Sequence, residues 1–270
     1  MLLLTRAIVT GGSSGIGAAL VNLLLKAGVE VISLSRTEAD FSGQEQIENL
    51  WQIPCDISNE EQLAAVFRKI SEKWEYCDVL FSNAGFGISG TVASTKKSQM
   101  IKQFDVNCFS AVSVIQRCLP LLRKAQYPRI VITSSVAGEI SIPYQAFYSA
   151  SKASLNMLAL ALNTELAADG IKAIAVMPGD CRTAFTDNRE KNAETPACYE
   201  KSEARSISKM EADERSGYPA EYVAGQLFRY AGKRRPKALY GVGFSYRFLL
   251  AAYKIFPIRL TGWIVSKMYG

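Results

Sequence analysis

Tyr148 stands four residues before Lys152 in the stretch AFYSASKASL (146–155), and the chain contains no histidine. Any proton transfer must therefore use another group. Residues i and i+4 of a helix share a face, which sets the phenol beside the ammonium. A free tyrosine ionises near pH ~10, and a neighbouring cation favours the phenolate and lowers that value. Tyr148 is thus a candidate to give a proton to a carbonyl oxygen, or to take one from an alcohol. Ser135, at the end of the apolar run RIVITSS, could hydrogen-bond the same oxygen as charge develops on it. The Y-x-x-x-K spacing alone is common in amphipathic helices. Its weight comes from the elements around it.

Those elements alternate. RAIVT, VEVISLS, CDVLFS, RIVITSS and IKAIAVM read as strands, and 15–27, 59–73, 96–125 and 148–168 as helices. Near-continuous apolar strands indicate a parallel sheet covered on both faces. The expected fold is α/β: a Rossmann-type doubly wound parallel sheet of about seven strands flanked by helices. At 270 residues the chain suits one domain. Between the first strand and first helix lies Gly11-Gly12-Ser13-Ser14-Gly15-Ile16-Gly17. Glycines there let the backbone turn tightly and approach a pyrophosphate, toward which the helix start aims free N–H groups. The second strand ends at Ser35 with Arg36 next. A carboxylate at that tip would bind the ribose hydroxyls of NAD, whereas a guanidinium can hold a 2′-phosphate. NADP (NADPH) is the expected cofactor, with NAD the alternative.

The whole pattern resembles the short-chain dehydrogenase/reductase family, in its compact single-domain branch of hydroxysteroid dehydrogenases and related ketone reductases. The resemblance rests on Thr10-Gly11-x-x-x-Gly15-Ile16-Gly17, Asp56 in CDIS, Asn83-Ala84-Gly85, Asn107 in FDVN, Ser135 in ITSSVAG, Tyr148-x-x-x-Lys152, and Pro178-Gly179 in MPGDCRT. It implies that Asp56 contacts the adenine amino group with Ile57 beside it. Asn83, Ala84 and Gly85 would line the adenosine ribose side of the cleft. Asn107 would hold a water that links Lys152 to solvent. Tyr148 would be the acid/base, and Lys152 would hold the nicotinamide ribose. Cys181 and Thr183 would hold the carboxamide. Two departures stand out. Ser82-Asn83 replaces the usual asparagine pair, and Ser14 replaces the basic residue often found before Gly15 in NADP users, so the NADP expectation rests mainly on Arg36.

The implied reaction interconverts a secondary alcohol and a ketone. Ile140, Ile142, Pro143, Tyr144 and Phe147 offer an apolar wall for a lipophilic substrate: a steroid, a bile acid, a ketosphingoid base or a long acyl chain. The alternatives are a 3-oxoacyl-[acyl-carrier-protein] reductase and, against the full catalytic set, a non-catalytic NADP-binding regulator. The polar stretch 184–217 is expected to be a lid or mobile loop. The six cysteines lack metal-ligand spacing, so no metal is expected, and they read as reduced thiols of a cytoplasmic protein. MLLLTRAIVTGG reads as a buried first strand rather than a signal sequence, and no run reaches the ~18 apolar residues of a membrane span.

The net charge of +6 is unevenly placed. After Glu221 come nine basic residues and no acidic one. The apolar, cationic segment 238–270 contains an expected helix from Phe244 that Pro257 breaks. It could close the pocket, form a subunit interface, or lie peripherally on a membrane surface. Helices 107–125 and 148–168 suggest a homodimer or homotetramer, and no nucleic-acid partner is expected.

Overall fold

The structure is a computed structural model that describes residues 2–192 and 194–269. Seven strands form one parallel sheet: β1 (Arg6–Thr10), β2 (Glu30–Ser35), β3 (Leu50–Pro54), β4 (Val79–Ser82), β5 (Arg129–Thr133), β6 (Lys172–Met177) and β7 (Leu239–Gly241). Their order is β7-β6-β5-β4-β1-β2-β3. The chain winds outward from β1 through β2 to β3, then returns to the other side of β1 with β4. This reversal opens a crevice at the carboxyl ends of β1 and β4, where ligands bind in such sheets.

Both faces of the sheet are covered, which explains the unbroken apolar strands. In β1, Ile8 points into a core with Leu80, Ile130 and α2 (Glu60–Lys73), while Ala7 and Val9 point into another with α1 (Gly15–Lys26) and α7 (Ala220–Ala231). Two edge strands were not legible as such. In β3 the residues Leu50, Trp51 and Gln52 are only half-buried and Pro54 ends the run, as an edge permits. β7 is three residues long.

The expected helix 96–125 is interrupted. α3 (Lys97–Phe104) runs through one π-helical turn, Asp105–Phe109, into α4 (Ser110–Leu122). The stretch 184–217 is not a structureless loop. Glu190–Lys191 pairs with Ile88–Ser89, and α6 (Glu200–Arg215) follows. Of the inward residues of α6 only Ile207 and Met210 are apolar, beside buried Glu203 and Ser206, so the helical period is faint in the sequence. The expected C-terminal helix and its break at Pro257 are observed as α8 (Phe244–Ile255) and α9 (Ile258–Tyr269). No helix among the described residues is long and apolar enough to cross a membrane.

Candidate active site

The glycine loop joins β1 to α1 at the crevice. Gly11 and Gly15 have φ of +68° and +53°, values that other residues rarely adopt. A Cβ on Gly17 would lie 1.9 Å from Gly11 O, so only glycine lets the loop close on the helix. Thr10 ties the loop to the next strand, its Oγ1 accepting from the Asn83 and Ala84 amides at 3.0 and 3.1 Å. Asn83 Nδ2 donates to Thr10 O (3.3 Å), and its Oδ1 accepts from Thr133 Oγ1 (3.0 Å). Ser35 Oγ accepts from the Ser13 amide at 3.1 Å, which joins the tip of β2 to the loop. Ser14 is the N-cap of α1, yet its side chain makes no capping bond, and the first turn carries no acidic residue. The start of α1 thus keeps the positive character that suits a phosphate. Arg36, Asp56, Ile57 and Gly85 line the same cleft. Asp56 Oδ1 accepts from Ser58 N and Oγ at 3.0 and 2.7 Å.

The catalytic candidates converge from three elements. α5 (Ala146–Glu165) carries Tyr148 and Lys152. Ser134 Oγ donates to Lys152 O at 3.0 Å and pins this helix to the end of β5. Ser135 caps a 3₁₀ turn, its Oγ accepting from the Ala137 amide at 3.1 Å and donating to Pro178 O at 3.5 Å, and the same hydroxyl acts on the Tyr148 phenol. Asn107 sits in the π turn, a kind of helix irregularity frequent at functional sites. Its amide donates to Ser151 Oγ (3.1 Å) and to Phe86 O (3.0 Å), and accepts from Phe86 N (3.0 Å). With these bonds the Asn107 side chain is committed to holding the Phe86 turn and α5.

Electrostatics in the chain itself run against the expectation for the pair. Burial pushes the Tyr148 phenol up to about 12. The Ser135 bond opposes the rise, Glu214 adds to it and Arg189 offsets part of it. Burial likewise brings the Lys152 ammonium down to about 8. Lys152 Nζ is 5.8 Å from the Tyr148 ring centroid and donates to Thr133 O at 2.8 Å. Desolvation of the phenol therefore outweighs its charged neighbours.

The third wall is the loop Pro178–Thr183. Pro178 O accepts from the Val136 amide at 2.8 Å, next to Ser135. The Thr183 side chain lies over the glycine loop, 3.3 Å from where a Gly15 Cβ would stand. Burial pushes the Cys181 thiol up to about 12, so its backbone is the better contact for a polar ligand. Tyr246 of α8 closes this loop. A Cβ on Gly179 would lie 2.2 Å from its ring, and its hydroxyl accepts from the Asp180 amide (3.0 Å) and donates to the Asp180 carboxylate.

Two constellations complete the cleft, and only the first escaped the sequence reading, since closure of the pocket by 238–270 was among its alternatives. The first is buried Arg189, paired with Glu214 of α6, whose Oε2 also accepts from Thr186 Oγ1 at 2.7 Å. With its amide oxygen turned inward, Gln145 accepts from Arg189 Nε (3.1 Å) and Nη2 (3.3 Å). Gln145 is the N-cap of the catalytic helix. The second is the roof: Phe248, Leu249 and Tyr253 of α8 and Ile264, Val265 and Met268 of α9 line the cleft. Of the expected wall, Ile140 and Ile142 line it, while Pro143, Tyr144 and Phe147 are not among its lining residues. Tyr144 instead donates to Ser202 Oγ of α6 at 2.7 Å.

The cleft has a volume of about 1560 Å³. Ligand pockets usually fall between ~300 and ~1,000 Å³, so it has room for a dinucleotide and a large second molecule. The glycine cradle, the free start of α1 and the polar loop fit a nicotinamide dinucleotide.

Comparison with known proteins agrees with this geometry. Residues 5–194 match the family model described as short chain dehydrogenase. A probable short-chain type dehydrogenase/reductase, VdlC, from Helicobacter pylori is 34% identical over 93% of each chain. A 3-ketodihydrosphingosine reductase from Bacteroides thetaiotaomicron is 31% identical over 85% of this chain and 84% of its own. Among solved structures, a short chain dehydrogenase/reductase from Burkholderia phymatum in complex with NAD superposes with a TM-score of 0.79. It is 24% identical and covers 93% of this chain and 92% of its own.

Proposed function

This chain belongs to the short-chain dehydrogenase/reductase family and is an oxidoreductase of CH–OH and keto groups; we propose that it uses NADP(H) to interconvert a lipophilic secondary alcohol and its ketone. The observation that carries the substrate class is the roof. α8 and α9 contribute at least six apolar side chains to the cleft lining, and two of them, Tyr253 and Val265, pack with Val136 and Ile140 beside Ser135. The relative named as a 3-ketodihydrosphingosine reductase supports choosing a ketosphingoid base first among candidate substrates. NADP is favoured by Arg36 at the rim and by the lack of a carboxylate at the tip of β2.

When bound, the nicotinamide supplies or accepts the hydride. Tyr148 donates its proton to the ketone oxygen, and the neutral phenol favoured by burial is the form that reduction needs. Ser135 orients the same oxygen and steadies the charge that develops on it. Lys152 holds its ammonium between Thr133 O and the ring of Tyr148, where a positive charge assists ionisation of the phenol in the reverse direction. Asn107 fixes the turn against which this proton path is built.

The test is oxidation of NADPH and of NADH against ketosphingoid bases, steroid ketones, 3-oxoacyl thioesters and simple ketones. Turnover with a long-chain or steroid ketone is expected. Activity confined to acyl-carrier thioesters would replace this reading with the acyl-chain reductase. Arg36→Asp is expected to lower kcat/KM with NADPH about tenfold or more, the scale of a lost charged hydrogen bond, while sparing NADH. Equal performance of the two cofactors in the unmodified enzyme would end the NADP assignment.

A further inference from the structure

The C-terminal helices are apolar on two sides, and the body of the protein covers only one. In α8, Tyr246, Leu249, Leu250 and Tyr253 face the cleft and the core. On the opposite side Phe244 (83% exposed), Phe248 (70%) and Ile255 (79%) form a stripe at helical spacing. Ile258 (78%) continues it past Pro257. In α9, Thr261, Ile264, Val265 and Met268 face the cleft. The row Arg259, Trp263, Lys267, spaced by four, falls on the other side, with Trp263 59% exposed between two cations. Arg247 and Lys254, seven residues apart, share the side of α8 next to this stripe, and Lys254 Nζ lies 3.8 Å from the Glu139 carboxylate. The segment 244–269 thus holds four basic residues and no acidic one.

We propose that this outer face of α8 and α9 is a docking surface for a bilayer containing anionic lipid. An exposed tryptophan bracketed by cations, beside a row of phenylalanine and isoleucine, matches the headgroup boundary, where apolar groups enter the acyl region and cations stay with the lipid phosphates. The charge distribution orients the molecule. All excess positive charge lies after Glu221, while the residues before it are on balance acidic. A second copy fits this face less well, because a two-fold contact would oppose Arg259 and Lys267 to their own kind with no carboxylate on either helix. Phe248 belongs to both surfaces, since it lines the cleft and is exposed at its edge. The docked face therefore adjoins the cleft mouth. Docking does not depend on the substrate proposed above, and its test uses no turnover.

Sedimentation of the full chain with vesicles of phosphatidylglycerol and phosphatidylcholine, and with phosphatidylcholine alone, decides the matter. Partitioning onto the anionic vesicles is expected to be at least about tenfold stronger at low salt and to fall as salt rises. Arg259→Glu with Lys267→Glu should remove the preference for anionic lipid. Phe244→Ser with Ile255→Ser and Trp263→Ser should weaken binding about tenfold. None of these side chains lines the cleft, so unchanged thermal stability and NADPH binding verify that the variants are folded. Absence of sedimentation with anionic vesicles, or sedimentation unaffected by the charge reversal, would overturn the proposal. So would a dimer in lipid-free solution that the serine variant turns into a monomer, which would make a second copy the occupant.

Discussion

Lys152 is buried and Tyr148 half-buried, and desolvation pushes each toward its neutral form. Replacing Tyr148 by Phe removes the proton and little volume. Turnover should fall by about 10²–10⁴, the usual contribution of a positioned acid, with NADPH affinity changed less than about threefold. Substantial residual turnover would show that another group supplies the proton. Lys152 also has a consequence for stability. Its value is about 8 folded and near the ordinary ~10.4 unfolded. Between these pH values the unfolded chain holds a proton that the folded chain has lost, so stability rises with pH there. Below pH ~8 the folded chain must carry the buried ammonium, which weakens it. Lys152→Met should therefore be inactive yet melt higher than the unmodified chain at pH 7, with the gap narrowing toward pH 10. A gap that is constant across that range would refute this.

At the scale of elements, the parallel core and the strand–loop–helix start were legible because periodicity and glycine placement report them directly. Six of the residues that finish the site were not. Arg189, Glu214, Gln145, Thr186, Tyr246 and Asp180 meet across sequence gaps, and three of them, Thr186, Arg189 and Glu214, lie on the polar stretch 184–217, which reads as solvent-facing. Nothing local marks Arg189 as buried, and only the fold brings its partners to it. The π turn at Asn107 is equally silent, because one extra residue in a helical turn leaves the apolar spacing of 97–122 nearly unchanged. The Arg189–Glu214 pair fastens α6 to the catalytic helix through Gln145, and both charges act on Tyr148 together with Ser135 and Lys152. Arg189→Met leaves Glu214 buried without its cation, a loss of about 3–5 kcal/mol, and should raise the pH at which alcohol oxidation reaches half its maximum. Glu214→Gln should lower that pH. Movement in the same direction, or none, would reduce the pair to a structural clasp.

As a whole molecule the chain leaves a second apolar surface, on α3, the π turn and α5. Ile101 of α3, Phe109 of the π turn, and Met157 and Leu160 of α5 are exposed on adjoining helices. We expect them to form the two-fold contact of a homodimer or homotetramer. Light scattering at micromolar concentration should give a multiple of the single-chain mass, and Met157→Glu with Leu160→Glu should return a monomer. A monomeric unmodified chain would rule this out. The contact between Gly179 and Tyr246 bears on how the enzyme is born. The loop Pro178–Thr183 is seated by a ring that comes 66 residues after Asp180. At roughly 5–20 residues per second on the ribosome, that ring arrives several seconds after the loop it holds. The phosphate cradle at Gly11 is tied by Ser35, Asn83 and Ala84, and α7, on which its helix α1 packs, ends at Ala231, so a nascent polypeptide halted before residue 246 should recognise the adenosine end of the dinucleotide while its ketone-reducing half is still unassembled.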